Sequence, residues 1–462
     1  MLETVALAFA ALREAMLLAA FGIALSGLDD LFIDAVFLVR RTVRMVAVRP
    51  FHRRVTVEEL GSDDPGWFAI LVPAWDEAAV IGTMLRGLIG TYLYPRFRVF
   101  VGCYPNDPTT LAEVAAVSDS RIERVITTRP GPTTKADCLN HLWRAALAHE
   151  AKAGITFRAI VLHDAEDVVH AAELRVFDHL IGRFDLVQLP VMPLPDPQSR
   201  WIAGHYLDEF AEAHTKDMIV REALGAAVPS AGVSCAIARH QIAALARAKP
   251  GAPFDPACFT EDYELGLHVK RAGGRGALVR VRDRAGVLVA THEHFPHTLS
   301  AAVRQKSRWM LGIALAGWDR LGWAGNGANK YMLWRDRKPL FVVPLCVLAW
   351  LTGLGALAAH ALVWAWPPAR AAGPIAPEGG WLAAMLTLNA GLLFWRLALR
   401  LAFTAHAHGW REGLRAVPRV LVANLVNTMA TARAVHQYLD IMIGRQTASW
   451  EKTAHRIPTP AG

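Results

Sequence analysis

Ala159-Ile160-Val161-Leu162-His163-Asp164-Ala165-Glu166-Asp167 begins as an apolar run and ends in three carboxylates within four positions. A run this short and rich in Val and Ile suits a strand buried on both faces. Like charges crowded at its end are costly unless a cation neutralises them. Hard oxygen ligands of this kind suit Mg2+ or Mn2+, ions that share their coordination with phosphate oxygens. The same cluster also serves, on its own, as an acidic N-cap for a helix opening near Ala171, favoured by the helix dipole.

Outward from this strand the chain alternates. Residues 68–72, 98–104, 122–127 and 186–191 are further apolar, β-rich runs, while 77–92, 111–116, 135–150 and 172–183 suit helices. The order predicts a largely parallel sheet with helices on both faces. Ligands of such sheets bind beyond the carboxyl ends of the strands, so polar residues just after each strand carry the functional information. The first strand ends in Pro73-Ala74-Trp75-Asp76-Glu77 and the second in Tyr104-Pro105-Asn106-Asp107. Thr260-Glu261-Asp262 heads an amphipathic helix running to Arg271, where capping is the plain reading. Gln305, Arg308 and Trp309, spaced i, i+3, i+4, share one helix face. That face suits pyrophosphate and sugar contacts, or equally an Arg/Trp belt at a membrane interface.

Hydrophobic residues make up 53% of the chain and charged residues 19%, a balance shifted towards membrane proteins. Residues 339–366 contain no charge and are long enough to cross a hydrocarbon core of roughly 30 Å. Residues 381–403 carry Arg396 and Arg400 near one end, where they can snorkel. Residues 5–28 are interrupted by Arg13 and Glu14; a leader cleaved near Ala24-Leu25-Ser26 is disfavoured because the basic residues follow the apolar core. Residues 417–442 hold too many polar groups for a clean span and read as an interfacial or protein-packed helix. Arg40, Arg41, Arg44, Arg49, Arg53 and Arg54 fit a juxtamembrane segment attracted to anionic lipid. With Lys330, Arg335, Arg337, Lys338, Arg411, Arg415 and Arg419 they mark the cytoplasmic ends, placing 367–380 outside and about 50–335 in the cytosol. The expected division is a membrane helix and juxtamembrane segment over 1–50, a cytosolic domain over 51–335, membrane and interfacial helices over 336–443, and a cytosolic tail over 444–462.

The formal charge of +8 does not imply nucleic acid, since no arginine–aromatic stripe lies on the soluble region. Cys103, Cys138, Cys235, Cys258 and Cys346 are scattered without ligand spacing, which excludes a disulfide framework or structural zinc and predicts buried thiols.

In combination the motifs are recognisable. Pro73-x-x-Asp76-Glu77, Lys135-Ala-Asp137-Cys-Leu-Asn140, Asp164-Ala-Glu166, Thr260-Glu261-Asp262 and Gln305-x-x-Arg308-Trp309 occur in that order. The chain resembles family-two membrane glycosyltransferases of the cellulose and hyaluronan synthase type from residue 15 to about 456. Tyr104-Pro-Asn-Asp-Pro and the Gly27-Leu-Asp-Asp-Leu-Phe-Ile-Asp34 stretch look most like the bacteriophage adsorption protein B branch. The resemblance implies a GT-A-like α/β nucleotide-sugar-binding domain joined to α-helical membrane segments. It implies an inverting inner-membrane enzyme that moves sugar from a nucleotide-diphosphate donor, expected to be UDP-linked, onto a growing glycan. In that reading Pro73, Asp76, Glu77, Asn106, Asp107, Lys135 and Asn140 serve the donor. Asp164 and Glu166 meet its diphosphate through Mg2+ or Mn2+, and Glu166 competes with Asp167 for the ion because Glu replaces the usual second aspartate. Asp262 is the general base, with Glu261 the substitute, and Gln305, Arg308 and Trp309 clamp diphosphate and acceptor. Ending at Gly462, the sequence carries no regulatory domain behind the membrane part, and so few spans call for an export partner in the periplasm or outer membrane. Single transfer to a polyprenyl phosphate and an inactive receptor scaffold are the competing readings.

Overall fold

The computed structural model describes residues 1–62, 64–248, 252–375 and 379–445. Its centre is a seven-stranded sheet of β1 (Trp67–Pro73), β2 (Phe97–Cys103), β3 (Ile122–Ile126), β4 (Phe157–Leu162), β5 (Leu186–Gln188), β7 (Cys235–Ala238) and β8 (Gly276–Leu278), ordered β3-β2-β1-β4-β7-β5-β8. Only β7 runs against the rest, pairing antiparallel with both β4 and β5. β6 (Val191–Pro193) and β9 (Thr291–Glu293) form a small parallel pair beside it.

Both faces of the sheet are covered at its centre, so β1 is apolar at every position. Phe68, Ile70 and Val72 of β1 enter one core layer, while Ala69 and Leu71 enter the other. Burying each large side chain contributes roughly 1.5–3 kcal/mol. The expected 186–191 strand divides in two because Pro190 lacks an N–H and cannot continue the ladder; Val191 then pairs with Thr291. β7 is too short, and β8 and β9 too irregular, to stand out in the sequence.

The helices are α1 (Leu2–Val43), α2 (Ile81–Thr91), α3 (Pro108–Ala115), α4 (Lys135–Ala153), α5 (Glu173–Leu180), α6 (Gly204–Glu212), α7 (Met218–Ala223), α8 (Arg239–Ala248), α9 (Glu261–Arg271), α10 (Leu299–Met310), α11 (Ala316–Leu321), α12 (Gly327–Arg337), α13 (Pro339–Ala365), α14 (Gly380–His408) and α15 (Trp410–Met442). Their starts follow local chemistry. Asp107 caps α3 ahead of Pro108, Thr134 caps α4 through the Asp137 N–H at 3.2 Å, and Thr298 caps α10. Gly154, at φ 65°, ends α4.

Three helical stretches, Leu2–Val48, Gly327–Ala365 and Gly380–His408, are long and apolar enough to cross a membrane. Gly22 lets α1 approach α13 closely, since a Cβ there would fall 2.5 Å from Leu345. α15 packs its Ala416, Ala423, Val426, Ala430 and Ala434 face inward. It is the protein-packed helix expected over 417–442. The Gly27-to-Asp34 stretch lies on α1, and its acids are paired: Lys338 lies 2.7 Å from both Asp29 and Asp30, Arg335 pairs with both, and Asp34 meets Lys216 and the Trp395 Nε1. Four of the five cysteines are buried and Cys346 is half-buried; all are free thiols. Most of the expected tail, 446–462, and the middle of the expected outside turn, 376–378, fall outside the described residues.

Candidate active site

The carboxyl ends of β1 and β4, the amino end of α9 and one face of α10 converge on an open cleft. Of the residues singled out in the sequence, Pro73, Glu77, Lys135, Asp164, Glu166, Glu261, Asp262, Gln305, Arg308 and Trp309 all line it. They come from five separate segments of chain.

Lys135, in the first turn of α4, sits between two of these segments. Its Nζ is 2.6 Å from Asp164 Oδ1 and 3.7 Å from Glu261 Oε1. Burial opposes its charge, but Asp164, Glu261 and Asp262 outweigh that and hold the ammonium well above the usual lysine range. Burial, with Asp262 added and Lys135 opposing, lifts Glu261 to about 7. Asp262 is likewise raised, first by burial, against the stabilising effects of Lys135, the Tyr263 N–H and Arg308. Opposite Asp262 lies Gly232 at φ 80°; a Cβ there would be 2.7 Å from Asp262 Oδ2, so only glycine leaves the carboxylate in place.

The wall around Gly232 is fixed by buried polar groups. Gln188 accepts from the Ala231 N–H at 2.8 Å and donates to the Val233 carbonyl at 2.9 Å. Ser234, at φ 48°, donates to Glu173 Oε1 at 3.0 Å. Glu173 in turn lies 2.9 Å from His163 Nε2, whose Nδ1 is 2.6 Å from Asp167 Oδ2. Burial disfavours a charged His163, yet Glu173 and Asp167 together raise it to about 10.

Asp167, the other carboxylate expected at the ion, lies behind the residues that line the cleft: its Oδ2 meets His163 Nδ1 and accepts from the Asp164 N–H at 3.1 Å, while its Oδ1 is buried without a hydrogen-bond partner among the described residues. No three His, Cys, Asp or Glu side chains among the described residues converge as a ready metal cage. Asn140 also stands apart from the cleft lining. Both ends of its amide bond to the Phe254 backbone, at 2.7 and 3.1 Å, deep under the sheet. Asn106 bonds the Gly131 backbone, and Asp107 accepts from Asp76 N–H, Thr109 and Thr110. Asp107 thereby holds the 73–77 turn from behind, and Asn106 holds the Gly131 loop. Asp76 is exposed, at φ 54°.

Sequence reading missed Phe210, Phe295 and Glu293, which also line the cleft. Phe210 and Phe295 lie 4.8 Å apart between centroids, and Tyr206 meets Phe295 at 4.6 Å and Trp309 at 6.1 Å. The aromatic spacing along α6, Tyr206 to Phe210, is the one local signal that this helix borders a site.

Glycosyltransferase like family 2 matches residues 65–312, the stretch that builds the sheet and the cleft. Bacteriophage adsorption protein B of Escherichia coli (strain K12) is 39% identical over 459 residues, covering 95% of this chain. The O157:H7 counterpart, bacteriophage N4 adsorption protein B, matches to the same extent. The chain spans about three fifths (61%) of the length of these relatives. Among solved structures, a mannosyltransferase from Pyrobaculum calidifontis in complex with GDP-Man and Mn2+ aligns with TM-score 0.48 at 16% identity, covering 92% of this chain and 99% of that one. Glucosyl-3-phosphoglycerate synthase from Mycobacterium tuberculosis aligns with TM-score 0.35 at 18% identity, covering 60% and 88%. With its family match over more than half its length, a mostly parallel GT-A-like sheet and the motif residues gathered in one cleft, the chain belongs to the family-two glycosyltransferases.

Proposed function

We propose that this glycosyltransferase transfers a sugar from a nucleotide-diphosphate donor to the hydroxyl of a glycan acceptor at the cytosolic face of the bacterial inner membrane, with inversion at the anomeric carbon. One observation carries the reading: Asp164, Glu166, Glu261, Asp262, Gln305, Arg308 and Trp309, spread over 146 positions, line one cleft beyond the strand ends.

Charge within the cleft supports a divalent cation. Glu77, Asp164, Glu166, Glu261, Asp262 and Glu293 face it against only two cations, Lys135 and Arg308. A diphosphate would be repelled by that excess. Asp164 and Glu166 are hard oxygen donors on one turn and fit Mg2+ or Mn2+, which keep room for phosphate oxygens. The ion would neutralise charge on the departing diphosphate. The remaining work falls to the side chains. Arg308 and the Nε2 amide of Gln305 donate to the diphosphate, and Lys135 is freed from Asp164 to join them; Gln305 Oε1, buried without a partner among the described residues, accepts from a sugar hydroxyl. Asp262 accepts the proton of the acceptor hydroxyl as that oxygen bonds to the anomeric carbon. The bond to the diphosphate oxygen breaks on the opposite side and the electron pair leaves with the diphosphate. Trp309, Phe210 and Phe295 stack the acceptor sugar.

The glycan is read as a polymer because the helix bearing Trp309 packs directly on α15 and is separated from the α13 span only by the short α11 and α12 region. The arginine bias supports an amino terminus outside and a catalytic domain in the cytosol, and an export partner in the envelope belongs to the same reading. A uridine nucleotide is the expected donor. Membranes containing the chain, incubated with a panel of labelled nucleotide sugars and the products sized, test all of this. Incorporation into a long glycan from one donor is expected; products limited to one sugar on a lipid would replace the polymer reading. No incorporation from any donor, by a folded protein, would overturn the transferase reading.

A further inference from the structure

Arginines from two segments more than 220 positions apart gather at the foot of α1. Arg41 and Arg44 lie in the last turns of that helix and its π-helical end, Arg44–Val48, and Arg49 and Arg54 follow. The chain then runs beside a basic segment of the catalytic domain. Thr56 bridges to Arg282, and the Val57 N–H donates to the Arg282 carbonyl at 3.1 Å. Arg280, two residues earlier, donates to the His214 carbonyl at 3.1 Å.

Asp283, beside Arg282, accepts from the Val287 N–H at 2.7 Å in its own turn, and further carboxylates stand nearby. Glu59 pairs with Arg53 at 3.4 Å, Glu58 accepts from the Arg284 N–H, and Glu222 lies towards Arg40 and Arg44. Among the described residues, Arg41, Arg44, Arg49, Arg54, Arg280 and Arg282 form no ion pair. The crowding has a physical mark: Arg49 foremost, with burial and then Arg282, Arg44 and Arg41, holds Arg54 below its usual range. Burial and Arg282 hold Arg280 at about 10. Arg41, Arg44, Arg49 and Arg54 are exposed and Arg280 and Arg282 half-buried, so the like charges are crowded on an accessible surface that attracts an anion. The patch also carries exposed apolar side chains, with Val46 70% and Phe51 80% exposed. An anion that comes with an apolar neighbour, at the end of a helix able to cross a membrane, is a lipid.

We propose that Arg41, Arg44, Arg49, Arg54, Arg280 and Arg282 bind the phosphate headgroup of an anionic phospholipid at the carboxyl end of α1. The positive-inside rule concerns segments that flank a span; here the catalytic domain supplies two of the six cations. Through Arg280 the site adjoins His214, whose ring accepts the N–H of Val191 at 2.9 Å in the cleft wall. The inference does not depend on which sugar is transferred.

The test uses the purified full chain in neutral detergent, titrated with short-chain phosphatidylglycerol, short-chain phosphatidylcholine or inorganic phosphate. Bound lipid is counted by native mass spectrometry. The combined variant Arg49→Gln, Arg54→Gln, Arg282→Gln is compared with Arg86→Gln, Arg124→Gln, Arg144→Gln, which removes equal charge from exposed positions on the soluble domain. Wild type and the second variant should prefer phosphatidylglycerol about tenfold or more, and the first should lose roughly fivefold in affinity per arginine removed. Lysine at the same three positions should keep most of the binding, which decides the matter if the glutamine variant unfolds. Equal binding of both lipids, an unchanged first variant, or displacement of phosphatidylglycerol by an equal concentration of inorganic phosphate would each overturn the proposal.

Discussion

The acids of α1 and the acids of the cleft are both held against protein rather than water, yet they are partnered differently. Asp29, Asp30 and Asp34, with Glu212 and Asp217 nearby, meet Arg335, Lys338, Lys216 and Arg396, so each of five carboxylates has a cation of the chain beside it. In the cleft six carboxylates face two cations. Breaking a buried pair is strongly destabilising because the surviving charge is left uncompensated, so the α1 set is complete within the chain. On the proposed function, a divalent cation arriving with the donor offsets that excess. Acidity alone does not mark a ligand site; an excess of one sign lining an open cleft supports one.

The largest effect expected from that excess is the loss of turnover on removing divalent ions. Excess EDTA should reduce transfer to background, with recovery on adding Mg2+ or Mn2+; full activity in EDTA would remove the ion from the reading. Asp164→Asn should raise the metal concentration needed for half-activity far more than Asp167→Asn, because Asp167 is bonded to His163 behind the wall.

Asp262→Asn comes next. Transfer should fall by roughly two to four orders of magnitude while nucleotide-sugar affinity and thermal midpoint stay close to wild type. A cap alone predicts a loss of about 1 kcal/mol or less, since Asn caps nearly as well. Single-turnover transfer measured beside donor binding separates the two, and near-normal transfer would shift the base to Glu261.

On the α1 side, Lys216→Met leaves Asp34 and Glu212 in a buried site with Arg396 as the remaining cation. A destabilisation of about 3–5 kcal/mol is expected, read as thermal or denaturant unfolding in detergent. Adding Asp34→Asn to Lys216→Met should recover part of it. A single substitution without effect would mean the charges are solvated rather than locked.

Smaller and graded is the response to pH. Asp262 must be ionised to act, and burial raises its carboxyl above the usual range. The acid limb of kcat/KM should therefore lie above the ordinary aspartate value of about 3.9, falling roughly tenfold per pH unit below it. Stability carries the opposite sign for Glu261. Its folded-state value, about 7, exceeds that of an unfolded glutamate, so the native state binds more protons between the two. Stability from this group is present at low pH and is lost as pH rises towards 7. Glu261→Gln should remove that slope from unfolding measurements.

Much of this was legible in the residues. Continuous apolar runs such as those of β1 and β4 exist because both faces of the sheet are covered, so the periodicity itself declares an α/β domain. The uncharged length of α13 declares a helix able to span a membrane. The i, i+3, i+4 spacing on α10 declares that Gln305, Arg308 and Trp309 point one way. These properties are local, set by steric and solvation preferences within one or two turns of chain.

Tertiary structure decided which polar groups were available for chemistry. Asn140 and Asp167 stand in the right motifs, yet the Phe254 backbone holds both ends of the Asn140 amide, and His163, itself fixed by Glu173, draws Asp167 Oδ2 behind the cleft. Phe210, Phe295 and Gly232 carry no motif and enter the cleft because α6, the β9 region and the β7 turn fold against it. The short β7 pairs at all only because β4 and β5 present it with two edges. A side chain's partner is set by long-range packing, and only that packing distinguishes a carboxylate already satisfied within the chain from one in the charge-deficient cleft.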